Sequence, residues 1–194
     1  MRYTVFCGSS AGNKEVYVQQ AYALGKALAQ HKIGVVYGGA KVGLMGAIAD
    51  GALTNGGEVI GVLPHFLAAV ELGHGGLSEL IFVETMHERK AKMDELSDGI
   101  IALPGGFGTL EEFFEMLTWG QLGLHKKPIA LFNVDGFYDP LLQMMDTMVK
   151  QGFLKEENKN MVLVSDDIID LLHQMKQYKA PKVGKWVVQN EKSQ

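Results

Sequence analysis

Twice in this sequence a short apolar run ends in a glycine-rich turn that opens onto a helix. Gly99-Ile100-Ile101-Ala102-Leu103 leads into Pro104-Gly105-Gly106-Phe107-Gly108-Thr109, and Ile33 to Tyr37 leads into Gly38-Gly39-Ala40-Lys41-Val42-Gly43-Leu44-Met45-Gly46. Past the later turn, Leu110, Phe113, Phe114 and Leu117 fall at i, i+3, i+4 and i+7, which is helical spacing. Glycine lets the backbone take positive φ and lets a ligand approach with no Cβ in the way. The free N–H groups of the next helix's first turn then form an anion site. The guest they suit is a phosphate, a carboxylate, or both.

The rest of the chain repeats the same alternation. Strands are expected at Tyr3 to Cys7, Ile33 to Tyr37, Glu58 to Leu63 (closed by Pro64), Leu80 to Val83, Gly99 to Leu103, Pro128 to Phe132 and Met161 to Val164. Helices are expected at Val16 to Gln30, from the second glycine turn to about Thr54, at Thr85 to Ser97, after Leu110, at Tyr138 to Lys150 and at Ile168 to Met175. Asn55-Gly56-Gly57 is a helix stop. Residues 65–79 read as an irregular loop holding Glu71 and His74, and long loops in compact domains are often functional. Strands and helices in this order give an α/β fold, a parallel sheet with helices on both faces. Ligands of such sheets bind beyond the carboxyl ends of the strands, where both glycine turns lie. The expected domain is residues 1–179, followed by a polar tail, 180–194, whose apolar island is Trp186-Val187-Val188.

Composition narrows the function classes. A chain of 194 residues can bury one sizeable core. A net charge of −4 gives no electrostatic case for a nucleic-acid polymer or a membrane surface as partner. The single cysteine, Cys7, excludes a disulfide framework and reads as a buried small hydrophobe. The start is strand-like with no signal-peptide apolar region, and no apolar run is long enough to span a bilayer, so a cytoplasmic protein is expected.

Two helix starts carry charge worth reading. Thr109-x-x-Glu112 fits a capping box with Glu112 at the third helical position. A capping box needs no Gly-Gly-x-Gly before it, however, and Glu112 shares a helical stripe with Met116 and Trp119 rather than an open face. Thr85-x-x-Glu88 is a second capping box, which puts Arg89 and Lys90 near a helix N-terminus, where cations are disfavoured by about 0.3–1 kcal/mol. Arg89 also lies on the stripe of Met86, Met93 and Leu96. Two readings stand for it: an arginine that holds an anionic ligand, or one that snorkels to the surface or pairs with a core carboxylate.

Several familiar sites are missing from the sequence. There is no G-x-x-x-x-G-K-[ST] loop, Gly8-Ser9-Ser10-Ala11-Gly12 is not G-x-G-x-x-G, and Glu111 stands where the third glycine after Gly106 and Gly108 would be. The six histidines show no paired metal-ligand spacing, so no metal is expected. His87 and His125 read as helix-end or loop polar residues, and Met144, Met145 and Met148 as core or a dimer face.

Pro104-Gly105-Gly106-Phe107-Gly108-Thr109-Leu110-Glu111-Glu112 resembles the P-G-G-x-G-T-x-x-E signature of the LOG ("lonely guy") family. Met86-His87-Glu88-Arg89-Lys90 resembles that family's M-x-x-R-K segment, and Gly38-Gly39 with Gly43-Leu44-Met45-Gly46 its upstream glycine turn. The resemblance runs from about Tyr3 to Lys176. It implies a modified Rossmann fold, a homodimer, and hydrolysis of the N-glycosidic bond of cytokinin riboside 5′-monophosphates or AMP, with no cofactor. It further implies Arg89 and Glu112 as the catalytic pair. Glu71, Lys90, Gly106, Phe107, Gly108, Thr109, Leu110 and Glu111 would bind the nucleoside 5′-monophosphate. Members often carry the older label "lysine decarboxylase", which needs a Schiff-base lysine of which the sequence gives no local sign. Two other classes stay open: a nucleotide-binding module without turnover, and a dinucleotide-dependent oxidoreductase, against which the missing third glycine speaks.

Overall fold

The computed structural model of the chain describes residues 1–68 and 73–181. Seven strands alternate with helices: β1 (Arg2–Phe6), α1 (Glu15–Gln30), β2 (Gly34–Tyr37), α2 (Gly43–Leu53), β3 (Val59–Pro64), α3 (His65–Ala68), β4 (Glu79–Val83), α4 (Met86–Glu95), β5 (Gly99–Ala102), α5 (Phe107–Leu122), β6 (Ile129–Phe132), α6 (Asp139–Lys150), α7 (Glu156–Lys159), β7 (Val162–Ser165) and α8 (Ile168–Gln177). All pairings are parallel, in the order β4-β3-β2-β1-β5-β6-β7. The expected α/β architecture is therefore observed. No helix among the described residues is long and apolar enough to cross a membrane.

The sequences of the strands follow from their positions. Gly34–Tyr37, Gly99–Ala102 and Ile129–Phe132 are buried along their whole length because helices cover both faces. The edge strands β4 and β7 are only partly covered, and their sequences mix polar with apolar residues. Side chains alternate across the sheet. Tyr3, Val5, Cys7, Val35 and Tyr37 meet Leu24 and Leu28 of α1, Leu44 and Ile48 of α2, and Leu171 and Met175 of α8. Phe6, Val36, Ile60 and Ile100 meet Met93 of α4, Phe113 and Met116 of α5, and Met145 of α6.

Two glycines set the closest helix contact. A Cβ on Gly25 of α1 would stand 2.2 Å from the Ile48 carbonyl oxygen, and one on Gly51 of α2 would stand 2.1 Å from that of Tyr22. The two helices thus touch backbone to backbone. A helical glycine costs about 1 kcal/mol relative to alanine, and here that cost purchases an approach no alanine permits.

Three expectations are corrected and one helix is added. Residues 65–68 form a short helix rather than loop, and Glu156–Lys159 form another that periodicity did not reveal, since four residues hold too little pattern. Pro64 does not close β3 but belongs to it, paired with Val83 at the sheet's outer pair of strands. Most consequentially, α5 begins at Phe107, not after Thr109. Glu71 and most of the polar tail, including Trp186-Val187-Val188, lie outside the described residues.

Candidate active site

The chain order reverses at β1, whose neighbours are β2 and β5. Loops leaving the carboxyl ends of these three strands are joined through Gly8. Its N–H donates to the Pro104 carbonyl at 3.0 Å, and its own carbonyl accepts from Leu44 N–H at 3.1 Å. Gly8 therefore ties both glycine turns to the end of β1. Gly43, at φ +57°, passes so close to Ser9 that a Cβ there would stand 2.3 Å from the Ser9 carbonyl oxygen. The crevice that results has a volume of about 310 Å³, near the low end for small-molecule sites. Its walls come from the end of β1 (Cys7), the two glycine turns (Gly38, Gly106, Gly108), α4 (Met86, Arg89) and α5 (Thr109, Glu112).

Because α5 starts at Phe107, Gly106 is its N-cap and Thr109 its third residue. The N–H groups of Phe107, Gly108 and Thr109 precede the first intrahelical bond, which Leu110 N–H makes to the Gly106 carbonyl. All three residues line the crevice, and Phe107 stands 94% exposed. Neither Gly106 nor Gly108 has anything within 4 Å of where a Cβ would project, so open space faces the helix end. Gly105 differs: a Cβ there would stand 2.2 Å from Thr109 Oγ1.

The capping-box reading of Thr109 and Glu112 fails with the earlier helix start. Glu112 lies a full turn inside α5 and points into the crevice, not back to a cap. The Thr85 capping reading holds: Thr85 Oγ1 accepts from Glu88 N–H at 3.1 Å. This fixes the start of α4 and hence the row on which Met86, Arg89 and Met93 lie.

Arg89 is 7% exposed. Its Nε donates to the Val62 carbonyl at 3.0 Å and one Nη to the Gly38 carbonyl at 3.1 Å, the first within β3 and the second just past β2. The other Nη stands 3.8 Å from Glu112 Oε1. The guanidinium thus neither snorkels nor closes a tight ion pair. Two backbone carbonyls hold it, and the other Nη, 3.9 Å from Met86 Sδ, faces Glu112 and the crevice. Burial pushes the Glu112 carboxyl up to about 7; Arg89 opposes this, Glu111 and Glu115 add to it, and Lys90 opposes it. A carboxyl poised there can accept or release a proton at neutral pH. Burial also pushes the Cys7 thiol up, with Glu112 adding to it, which leaves Cys7 a poor nucleophile.

Of the residues expected at the site, Arg89, Gly106, Phe107, Gly108, Thr109 and Glu112 line one crevice. Lys90 does not: it is 3% exposed, and its Nζ lies 2.5 Å from Glu111 Oε1 and 2.8 Å from Glu115 Oε2. Glu111 accordingly turns toward Lys90, and Leu110 packs against the core. His74 holds its loop in place, with Nε2 3.1 Å from Asp50 Oδ1 and its N–H on the Gly39 carbonyl. The ring of His125 bonds the Met116 carbonyl and plays a local structural part. Sequence reasoning missed Cys7, Gly8, Ser9, Met45, Met86 and Met93 as crevice residues. Two signals pointed to them: a third small-residue turn after β1, and the apolar stripe that also carries Arg89.

The family model described as "Possible lysine decarboxylase" matches residues 45–175. A cytokinin riboside 5′-monophosphate phosphoribohydrolase of Rhodococcoides fascians is 51% identical over 166 residues, covering 85% of this chain and 84% of that protein. A probable enzyme of the same name from Oryza sativa subsp. japonica is 48% identical over 177 residues, covering 91% and 79%. One from Arabidopsis thaliana is 45% identical over 177 residues, covering 91% and 83%. Among solved structures, the molybdenum cofactor carrier protein of Chlamydomonas reinhardtii superposes with a TM-score of 0.70 at 22% identity, covering 91% of this chain and 96% of that one. At that identity the likeness speaks to the fold alone.

Proposed function

The chain belongs to the LOG family of cytokinin riboside 5′-monophosphate phosphoribohydrolases, and from that premise we propose that its crevice cleaves the N-glycosidic bond of an N6-substituted adenosine 5′-monophosphate, or of AMP itself. The observation that supports this reading best is the poised pair. Glu112, a nearly buried carboxyl pushed up to about 7, faces Arg89 across 3.8 Å, one turn from an open helix N-terminus.

In this reading the 5′-phosphate sits on the N–H groups of Phe107, Gly108 and Thr109 with the Thr109 hydroxyl, where the helix end favours an anion. Its binding energy orients the ribose over Glu112. As the C1′–N9 bond breaks, its electron pair leaves with the base and the ribose gains oxocarbenium character, as in glycoside hydrolysis. Ionised Glu112 stabilises that charge and takes a proton from the attacking water, whose oxygen bonds to C1′. The departing base takes up one proton from solvent, Glu112 returns to solvent the one it took from the water, and the products are free base and ribose 5-phosphate. Arg89, fixed by the Val62 and Gly38 carbonyls, polarises the base or the ribose hydroxyls with its remaining donors. A pyridoxal decarboxylase fits these residues poorly: the crevice is lined by no lysine among the described residues, and both carboxylates nearest Lys90 already hold it.

The same proposal includes a homodimer. Phe114, Leu117, Met145, Met148 and Leu154 line an apolar groove between α5 and α6, and Met144 and Phe153 stand exposed beside it. Sedimentation at micromolar concentration tests this part. Chromatographic product analysis tests the reaction, with AMP, N6-isopentenyladenosine monophosphate and adenosine offered to the protein. Free base from the monophosphates but not from adenosine is expected. Equal cleavage of adenosine would remove the phosphate anchor from the reading.

A further inference from the structure

Lys90 is a buried cation whose charge goes to α5 and not to the crevice. Its partners Glu111 and Glu115 are one helical turn apart and flank Glu112 in the chain. Lys90 itself follows Arg89. The two ion pairs therefore connect the residue beside one member of the poised pair with the residues beside the other. Burial alone would pull the Lys90 ammonium down, but the hydrogen bond to Glu111 and the ion pair with Glu115 outweigh it and hold the group above its ordinary range.

A packing role would not require this chemistry. Replacing a buried ion pair by apolar side chains of like volume is often neutral or stabilising. The arrangement gains a purpose from what it surrounds. Glu112 is faced by Arg89 and Lys90 from α4, by Glu111 and Glu115 on its own helix, and by the Cys7 thiol from β1. Three carboxylates within five residues of one helix repel one another. A single buried ammonium bridging the outer two offsets part of that repulsion without occupying the crevice.

We propose that Lys90 is a positioning residue for the glycosidic reaction: it locks α4 to α5 so that Arg89 and Glu112 face each other, and its single charge offsets part of the negative charge of the two carboxylates that flank the third. This rests on the function proposed above. It differs from the expectation that Lys90 touches the nucleotide.

The test follows the Glu112 carboxyl in Lys90→Met, Lys90→Arg and Glu115→Gln, by kcat against pH with AMP and by carboxyl-carbon NMR titration without substrate. Lys90→Met should move the acid limb of kcat up by about one pH unit, with KM changed little. Glu115→Gln should move it down, and Lys90→Arg should restore it most of the way. The NMR titration should show the same order of midpoints. An acid limb and midpoint unmoved in Lys90→Met and Glu115→Gln would overturn the proposal, as would a rise in KM alone, the mark of a substrate ligand. If Lys90→Met does not fold, Glu115→Gln decides, because Glu115 is partly exposed and its amide is nearly isosteric. Absence of free base from the wild type would count against the proposed function instead, and the NMR titration would still judge Lys90.

Discussion

Arg89 and Gly38 meet at a distance that only glycine allows: the guanidinium donates to the Gly38 carbonyl at 3.1 Å, and a Cβ on residue 38 would stand 2.1 Å from the same Nη. The first glycine of the upstream turn is thereby explained by an arginine 51 residues away, not by turn conformation. Gly38→Ala should push the guanidinium off its carbonyl. Misplacement by about 1 Å can cost on the order of 10²-fold in rate, and overpacking about 1–3 kcal/mol in stability. Steady-state rates and denaturant unfolding of the variant measure both. A variant with unchanged rate would remove Arg89 from the chemistry.

The ionisation of Glu112 sets a pH dependence whose sign can be worked out. Its folded value, about 7, is above the ordinary 4.5 of a free carboxyl. The folded state therefore holds a proton that the unfolded chain has released, and stability falls as pH rises through about 7. Glu112→Gln should abolish that fall, so the variant gains on the wild type between pH 4.5 and about pH 7, the window between the unfolded and folded values, and no further above it. Thermal unfolding at the two pH values checks it. Equal losses in both proteins would contradict it.

Catalysis runs the other way, since the ionised form is the one that acts. The kcat for a monophosphate substrate should fall about tenfold per pH unit below the Glu112 midpoint. It should be read as kcat and not kcat/KM, because the substrate phosphate titrates near pH 6 (about its second pKa). A flat profile through this range would assign Glu112 a purely structural role.

The contact between α1 and α2 gives a prediction remote from the chemistry. Gly25→Ala would gain about 1 kcal/mol of helix propensity, yet its Cβ would meet the Ile48 carbonyl oxygen at 2.2 Å. Backbone cannot yield as a side chain can, so the net effect should be destabilising by about 1–3 kcal/mol. Urea unfolding reads this directly, and a stabilised variant would show that the helices slide apart at little cost.

Much of this was legible in the sequence because the sheet is parallel and covered on both faces. Its strands are then short apolar runs, its helices carry 3.6-residue stripes, and the turns between them declare themselves by glycine. The start of α5 was not legible. Thr109 and Glu112 satisfy the spacing of a capping box, and nothing local says that Gly106 takes the cap instead and carries the helix back over Phe107. That one shift turns Glu112 from a cap into a crevice carboxyl. The partners of Lys90 were equally out of reach. An ion pair between α4 and α5 depends on β5 placing the two helices side by side, a long-range fact with no signature in either segment. For Arg89 the apolar stripe did mark burial, but the carbonyls that hold it come from β3 and from just past β2.

The most direct measurement compares wild type with Glu112→Gln for release of free base from N6-isopentenyladenosine monophosphate and AMP, alongside binding of the intact nucleotides. The expected result is base and ribose 5-phosphate in equal amounts from the wild type. The variant should lose the rate by about 10²-fold or more while still binding. Undiminished base release by Glu112→Gln, or nucleotide binding without any release by the wild type, would contradict a glycosidic reaction centred on Glu112 and Arg89.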